Sequence, residues 1–83
     1  MKMVYFAWVR ERVGTGAEEV APPASVVTVA DLLDWLAAHG GGHADAFGER
    51  ERLRAAVDGA FVPLDSPLSG AAEVAIFPPV TGG

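Results

Sequence analysis

The stretch Met3-Val4-Tyr5-Phe6-Ala7-Trp8-Val9 is apolar at every position and rich in aromatic and β-branched residues. A short run of that kind predicts a strand covered on both faces. Arg10-Glu11-Arg12-Val13 then turns polar and ends at Gly14-Thr15-Gly16, a turn signal. Glu18-Glu19-Val20-Ala21 predicts a short second strand at a sheet edge, closed by Pro22-Pro23. The period changes at Thr28, where Val29, Leu32, Leu33 and Leu36 fall at i, i+3, i+4 and i+7 and predict one amphipathic helix. Thr28 is a good N-cap, Asp31 supplies an acidic capping box, and Gly40-Gly41-Gly42 is expected to stop the helix.

Residues 43–52 carry little pattern beyond a helical turn around Ala44 to Phe47. Leu53-Arg54-Ala55-Ala56-Val57 alternates as a strand, Asp58-Gly59 is a two-residue hairpin signal, and Ala60-Phe61-Val62-Pro63-Leu64 returns as the partner strand. Ser66-Pro67-Leu68-Ser69-Gly70 reads as a turn, and Glu73-Val74-Ala75-Ile76-Phe77 as the last strand. The first and last strands are the most apolar, which places them side by side at the centre of a mixed sheet with the helix across one face. The expected fold is α+β, a β-grasp of about five strands in one domain over residues 1–77, followed by an extended tail over residues 78–83.

That tail, Pro78-Pro79-Val80-Thr81-Gly82-Gly83, changes the picture. Two prolines lack the amide hydrogens needed to continue a sheet, so the last strand must release the chain there. Glycine has no Cβ, so Gly82 and Gly83 suit a channel too narrow for other residues. Six extended residues span on the order of 20 Å. The expected shape is a compact domain with a thin, reactive tail.

Composition narrows the chemistry. Eighty-three residues, 51% hydrophobic and 20% charged, suit one globular domain with a modest core. The absence of cysteine removes disulfides, thiolate nucleophiles and cysteine metal sites, and permits a cytoplasmic location. A net charge of −5, with Arg50, Arg52 and Arg54 interleaved with Glu49 and Glu51, argues against nucleic acid and suits a basic protein partner. No apolar run approaches a membrane span, and Met3 to Val9 is too short for a signal peptide. His39 and His43 have a metal-like spacing, but the intervening glycines keep them off one helix face, so no metal site is expected. Gly14-Thr15-Gly16 reads as a turn, and Ser25, Ser66 and Ser69 sit in turn contexts rather than as activated nucleophiles. Trp35 flanks the helix stripe and reads as packing. Lys2 is the one lysine.

The chain resembles the ubiquitin-like sulfur carriers that form the small subunit of molybdopterin synthase. The resemblance is carried by Tyr5-Phe6-Ala7, Val9-Arg10-Glu11, Gly14, Thr28-Val29, Ala55-Ala56-Val57, Pro67-Leu68 and, above all, Glu73 through Phe77 followed by Pro78-Pro79-Val80-Thr81-Gly82-Gly83. It spans the whole chain. Two departures stand out: Asp58 replaces the more usual Asn, and Gly70-Ala71-Ala72-Glu73 replaces Gly-Asp-Glu before the last strand.

The resemblance implies that the Gly83 carboxylate is adenylated by an ATP-using, ubiquitin-activating-like adenylyltransferase and converted to a thiocarboxylate with sulfur from a donor protein. Pro78, Pro79, Val80, Thr81 and Gly82 would thread the tail into the large subunit, where the sulfur builds the dithiolene of molybdopterin on a pyranopterin precursor. It implies a heterotetramer of two small and two large subunits, catalytic side chains on the large subunit, and no bound cofactor on the small one. On strand alternation, Phe6 and Trp8 oppose Met3, Tyr5 and Val9, and Phe77 opposes Val74 and Ile76. With the helix on the second set, Phe6, Phe61 and Phe77 emerge near the tail's root and match the family's apolar partner contacts; the alternative is that they are core aromatics. Other acceptors (thiamin, tRNA thiolation or cysteine synthesis) share the tail logic. A ubiquitin-like protein modifier and a purely structural interaction module are further alternatives.

Overall fold

The computed structural model describes residues 1–79. Its elements are β1 (Lys2–Tyr5), α1 (Ala7–Val13), β2 (Ala17–Glu19), α2 (Val29–Ala37), α3 (Gly41–Ala46), a 3-10 turn (Arg50–Arg52), β3 (Arg54–Val57), β4 (Ala60–Val62) and β5 (Glu73–Phe77). The five strands form one mixed sheet in the order β2-β1-β5-β3-β4. β5 is central, parallel to β1 and antiparallel to β3, so the two chain ends do meet inside the sheet. This is the β-grasp arrangement.

Strand alternation divides the sheet into two faces. Met3, Tyr5, Ala55, Val74 and Ile76 are buried with Val29, Leu32, Leu33 and Leu36 of α2 in one core. Full burial of a Leu or Val side chain is worth roughly 1.5–3 kcal/mol, so this helix stripe is the main attachment of α2 to the sheet. The capping box forms as expected: Asp31 N–H donates to Thr28 Oγ1 at 3.1 Å, and Thr28 N–H donates to Asp31 Oδ2 at 3.1 Å. The Asp31 carboxyl is held below its usual range by these backbone hydrogen bonds, from Thr28 first and Val27 second.

The first expected strand is too long. β1 stops at Tyr5, and Ala7–Val13 is helical. The apolar run contains two periods, because Val9 and Val13 lie four apart on the inner side of α1 while Arg10, Glu11 and Arg12 face solvent. Gly14 closes the helix with φ 98 and donates its N–H to Arg10 O at 2.9 Å. A glycine C-cap behind two arginines in the last turn was therefore a helix stop, not merely a loop.

Smaller differences follow the same logic. β2 lies at the sheet edge but spans Ala17–Glu19, and β3 and β4 are trimmed to Arg54–Val57 and Ala60–Val62. α2 ends at Ala37, before the glycines, and Gly41–Ala46 forms α3 where a single turn around residues 44–47 was expected. Gly42 lets α3 approach α1: a Cβ there would lie 2.8 Å from Val13 O and closer still to Arg12 O. The sheet is thus covered by helices in the plural, not by α2 alone.

The Asp58-Gly59 hairpin forms, with φ 48 and 85 at the two turn residues, as a two-residue primed turn requires. Asp58 Oδ1 also accepts the N–H groups of Ala72 and Glu73 at 3.0 and 2.9 Å, which ties the hairpin to the start of β5.

Candidate functional site

β5 leads out of the sheet centre to Phe77, and Pro78 and Pro79 follow without strand pairing. Both prolines are half-buried against the body, so the tail departs from a fixed point. Val80, Thr81, Gly82 and Gly83 lie outside the described residues.

The face of the sheet away from the helices surrounds this point of departure. Phe61 is 82% exposed and Phe6 is 50% exposed, while Phe77 is half-buried. The Phe61 and Phe77 rings lie 5.6 Å apart, and Phe6, Phe61, Phe77 and Pro78 line one depression floored by Ala56 and Ala75. Phe6 reaches this face because its backbone is still extended, at φ −128 and ψ 156, and its N–H still donates to Ile76 O at 3.3 Å. Alternation from Tyr5 therefore continues through Phe6 and fails only afterwards. Trp8 does not lie on a strand face; it sits half-buried in α1, with the Arg12 and Arg52 guanidinium carbons 4.6 and 5.2 Å from its ring centroid.

An adjoining groove of about 390 Å³ is lined by Arg54, Ala55, Phe61, Val62, Pro63 and Phe77. Arg54 was not among the residues read from the sequence as part of a site. The signal was its register: the first residue of β3 pairs with Phe77, the last residue of β5. Small alanines rimmed by the Phe6, Phe61 and Phe77 rings make this an exposed apolar face beside Pro78.

A polar cluster absent from the sequence reading lies on the opposite side. Glu18 Oε2 accepts from the Tyr5 hydroxyl at 2.7 Å and meets His43 Nε2 at 2.6 Å, joining β2, β1 and α3. Burial pushes the Glu18 carboxyl up, but hydrogen bonds from His43 and Tyr5 outweigh it and hold the group below its usual range. The Tyr5 phenol is pushed far up, by burial first and by the Glu18 hydrogen bond second. His39 and His43 do approach each other, with ring centroids 6.1 Å apart, because α2 and α3 fold back to back. Among the described residues no group of three or more His, Cys, Asp or Glu side chains could hold a metal ion. None of the described helices is long and apolar enough to cross a membrane.

Comparison with known proteins decides the lineage. Residues 3–83 match the model of the ThiS family. The chain belongs to the ThiS family. Its full length is 48% identical, over 83 residues and 99% of the relative, to the molybdopterin synthase sulfur carrier subunit of Escherichia coli strain K12. It is 32% identical over 83 residues, again 99% of the relative, to the protein of the same name from Haemophilus influenzae strain Rd. In fold it is similar to small archaeal modifier protein 1 of Haloferax volcanii, with a TM-score of 0.69 and 27% identity over 96% of this chain and 97% of that one. The family match reaches Gly83, so Gly82 and Gly83 fall inside the region that defines the family.

Proposed function

We propose that this chain is the sulfur-carrier subunit of a molybdopterin synthase and acts in molybdenum cofactor biosynthesis through its C-terminal Gly83. The observation that carries this reading is the 48% identity to the Escherichia coli sulfur carrier subunit over all 83 residues. The geometry supports it, since β5 delivers the tail from the rigid centre of the sheet beside an exposed aromatic face.

The chemistry follows from the terminal group. An α-carboxyl has a pKa of about 3.5, so Gly83 ends in a carboxylate at neutral pH, which is a poor acyl electrophile. A partner adenylyltransferase joins that carboxylate to AMP from ATP and releases pyrophosphate. The outer sulfur of a persulfide on a donor protein then attacks the acyl carbon and expels AMP, and a thiol cleaves the resulting acyl disulfide, leaving a thiocarboxylate on Gly83 and a new disulfide at the donor. The loaded tail enters the large subunit and gives its sulfur to a cyclic pyranopterin monophosphate, and two such deliveries make the dithiolene. Pro78 and Pro79 limit the freedom lost when the tail docks, and Val80, Thr81 and Gly82 fit the channel.

In this reading the small subunit supplies a reagent and holds no resident cofactor, and the acid–base groups belong to the large subunit. Phe6, Phe61 and Phe77 form the dock for both the activating enzyme and the large subunit, assembled as two small and two large subunits. Activation and transfer take place in the cytoplasm.

A second reading draws on the Haloferax volcanii fold neighbour, whose name describes a protein modifier. There, the adenylated Gly83 would meet lysine amines and form isopeptide bonds. Intact-mass measurement after incubation with ATP, the activating enzyme and a sulfur donor separates the two. The sulfur-carrier reading predicts replacement of one terminal oxygen by sulfur; adducts on protein lysines with no thiocarboxylate contradict it.

A further inference from the structure

The groove beside the tail root contains a cation whose hydrogen-bonding capacity is only partly used. Arg54 Nη1 donates to Leu53 O at 2.8 Å and to Glu51 O at 3.2 Å. These two bonds occupy both Nη1 hydrogens and fix the plane of the guanidinium. The other edge, formed by Nε and Nη2, has no hydrogen-bond partner among the described residues, and that edge has the fork geometry that matches a carboxylate. Neighbouring arginines differ. Arg50 is paired with Asp34 at 2.5 Å and Arg52 with Glu49 at 3.8 Å, whereas no carboxylate lies within 4.0 Å of Arg54 among the described residues.

Position makes this edge consequential. Arg54 pairs with Phe77 in the β3–β5 register and shares its groove with Phe61, the most exposed aromatic of the face. A partner that covers Phe61 and Phe77 while receiving the tail also removes Arg54 from water. Arginine does not shed its charge to escape burial, and a desolvated, unpaired guanidinium carries a heavy penalty. Apolar contact alone therefore cannot close over this end of the sheet.

We infer that Arg54 is a partner-selecting residue, and that the large subunit's surface beside the tail channel presents an aspartate or glutamate side chain to its Nε–Nη2 edge. The inference rests on the proposal that this face docks the large subunit. The ion pair admits a partner that places a carboxylate next to the tail channel and rejects one that covers Phe61 with a purely apolar or basic surface. The overall charge of −5 sharpens the discrimination, because a basic surface drawn to the acidic body is turned away at the tail root.

The test is calorimetric titration of the full chain and its variants into the purified large subunit from the same organism. Thermal melts of each variant monitor the fold. Arg54→Gln is expected to weaken binding at least about 30-fold, and Arg54→Glu more than about 100-fold, because the partner carboxylate is left buried and unpaired. Arg54→Lys keeps the charge and loses the fork; about a 10-fold loss is expected. Phe61→Asp serves as the control that reports use of the face itself. If Phe61→Asp abolishes binding while Arg54→Gln and Arg54→Glu bind within about twofold of the parent, the selection role of Arg54 is overturned and the docking face stands. If Phe61→Asp binds like the parent, or the parent itself does not bind, the docking proposal falls and the Arg54 inference falls with it.

Discussion

At the scale of single residues, the molecule separates its polar investments by face. The Glu18 carboxylate joins Tyr5 and His43 on the helix side, where it links the edge strand β2 to α3. Its folded-state pKa is depressed, so its contribution to stability is present above the unfolded value of about 4.3 and is lost as pH falls through the lower folded value. Glu18→Gln should therefore lower stability at pH 7 by roughly 1.5–3 kcal/mol, the value of a hydrogen bond to a charged group. The gap should close as pH falls through the lowered folded value and the parent carboxyl takes up its proton; melts across an acid pH series check this, and a gap that stays constant down the series contradicts it. Phe6, Phe61 and Phe77 were legible because strand alternation needs no knowledge of the partner strand. The Tyr5–Glu18–His43 cluster was not legible. Its members come from three segments, and only the β1–β2 register, with Met3 opposite Glu18, turns that carboxylate inward.

At the scale of elements, α2 was written plainly in the sequence and α1 and α3 were not. α2 has a cap, a box and a full apolar stripe, and all four stripe positions are buried. α1 is a two-turn helix whose first residues continue the apolar run of β1, so composition extended the strand over it. Gly42 misled in the opposite direction: read as a helix stop, it permits a helix crossing. Its missing Cβ leaves room for the carbonyls of Arg12 and Val13 at the C-terminal end of α1. Backbone, unlike a flexible side chain, cannot swing away. Gly42→Ala should therefore destabilise the fold by about 1–3 kcal/mol, the usual range for overpacking, measured as a lowered denaturant midpoint at unchanged slope. An unaffected midpoint would show that α1 and α3 are free to separate.

At the scale of the whole molecule, the topology could be inferred because both chain ends are strongly apolar strands. Two such strands in a small domain have one favourable place, adjacent at the sheet centre, and β1 and β5 pair there in parallel. The consequence is functional. A tail launched from the central strand has its root held by neighbours on both sides, whereas one launched from an edge strand would have a single neighbour. On the proposed reading the outer face is the recognition surface: aromatic rings around small alanines, with Arg54 beside Phe77 at the end of β5. In the proposed function, chemistry and recognition are divided, with the sulfur on the terminal glycine and the specificity on the sheet. The division demands that the distance from Phe77 to the reacting carboxyl be fixed by the chain itself, at six residues.

That demand is tested most directly by reconstituted sulfur transfer. The chain, loaded as its thiocarboxylate, is mixed with the large subunit and the pyranopterin precursor, and dithiolene formation is compared with that of a chain carrying one extra residue after Gly83. The account predicts full conversion by the native terminus, and none by the extended chain, which should still bind the large subunit. Equal conversion by the two chains would contradict the claim that Gly83 is the sulfur-bearing group.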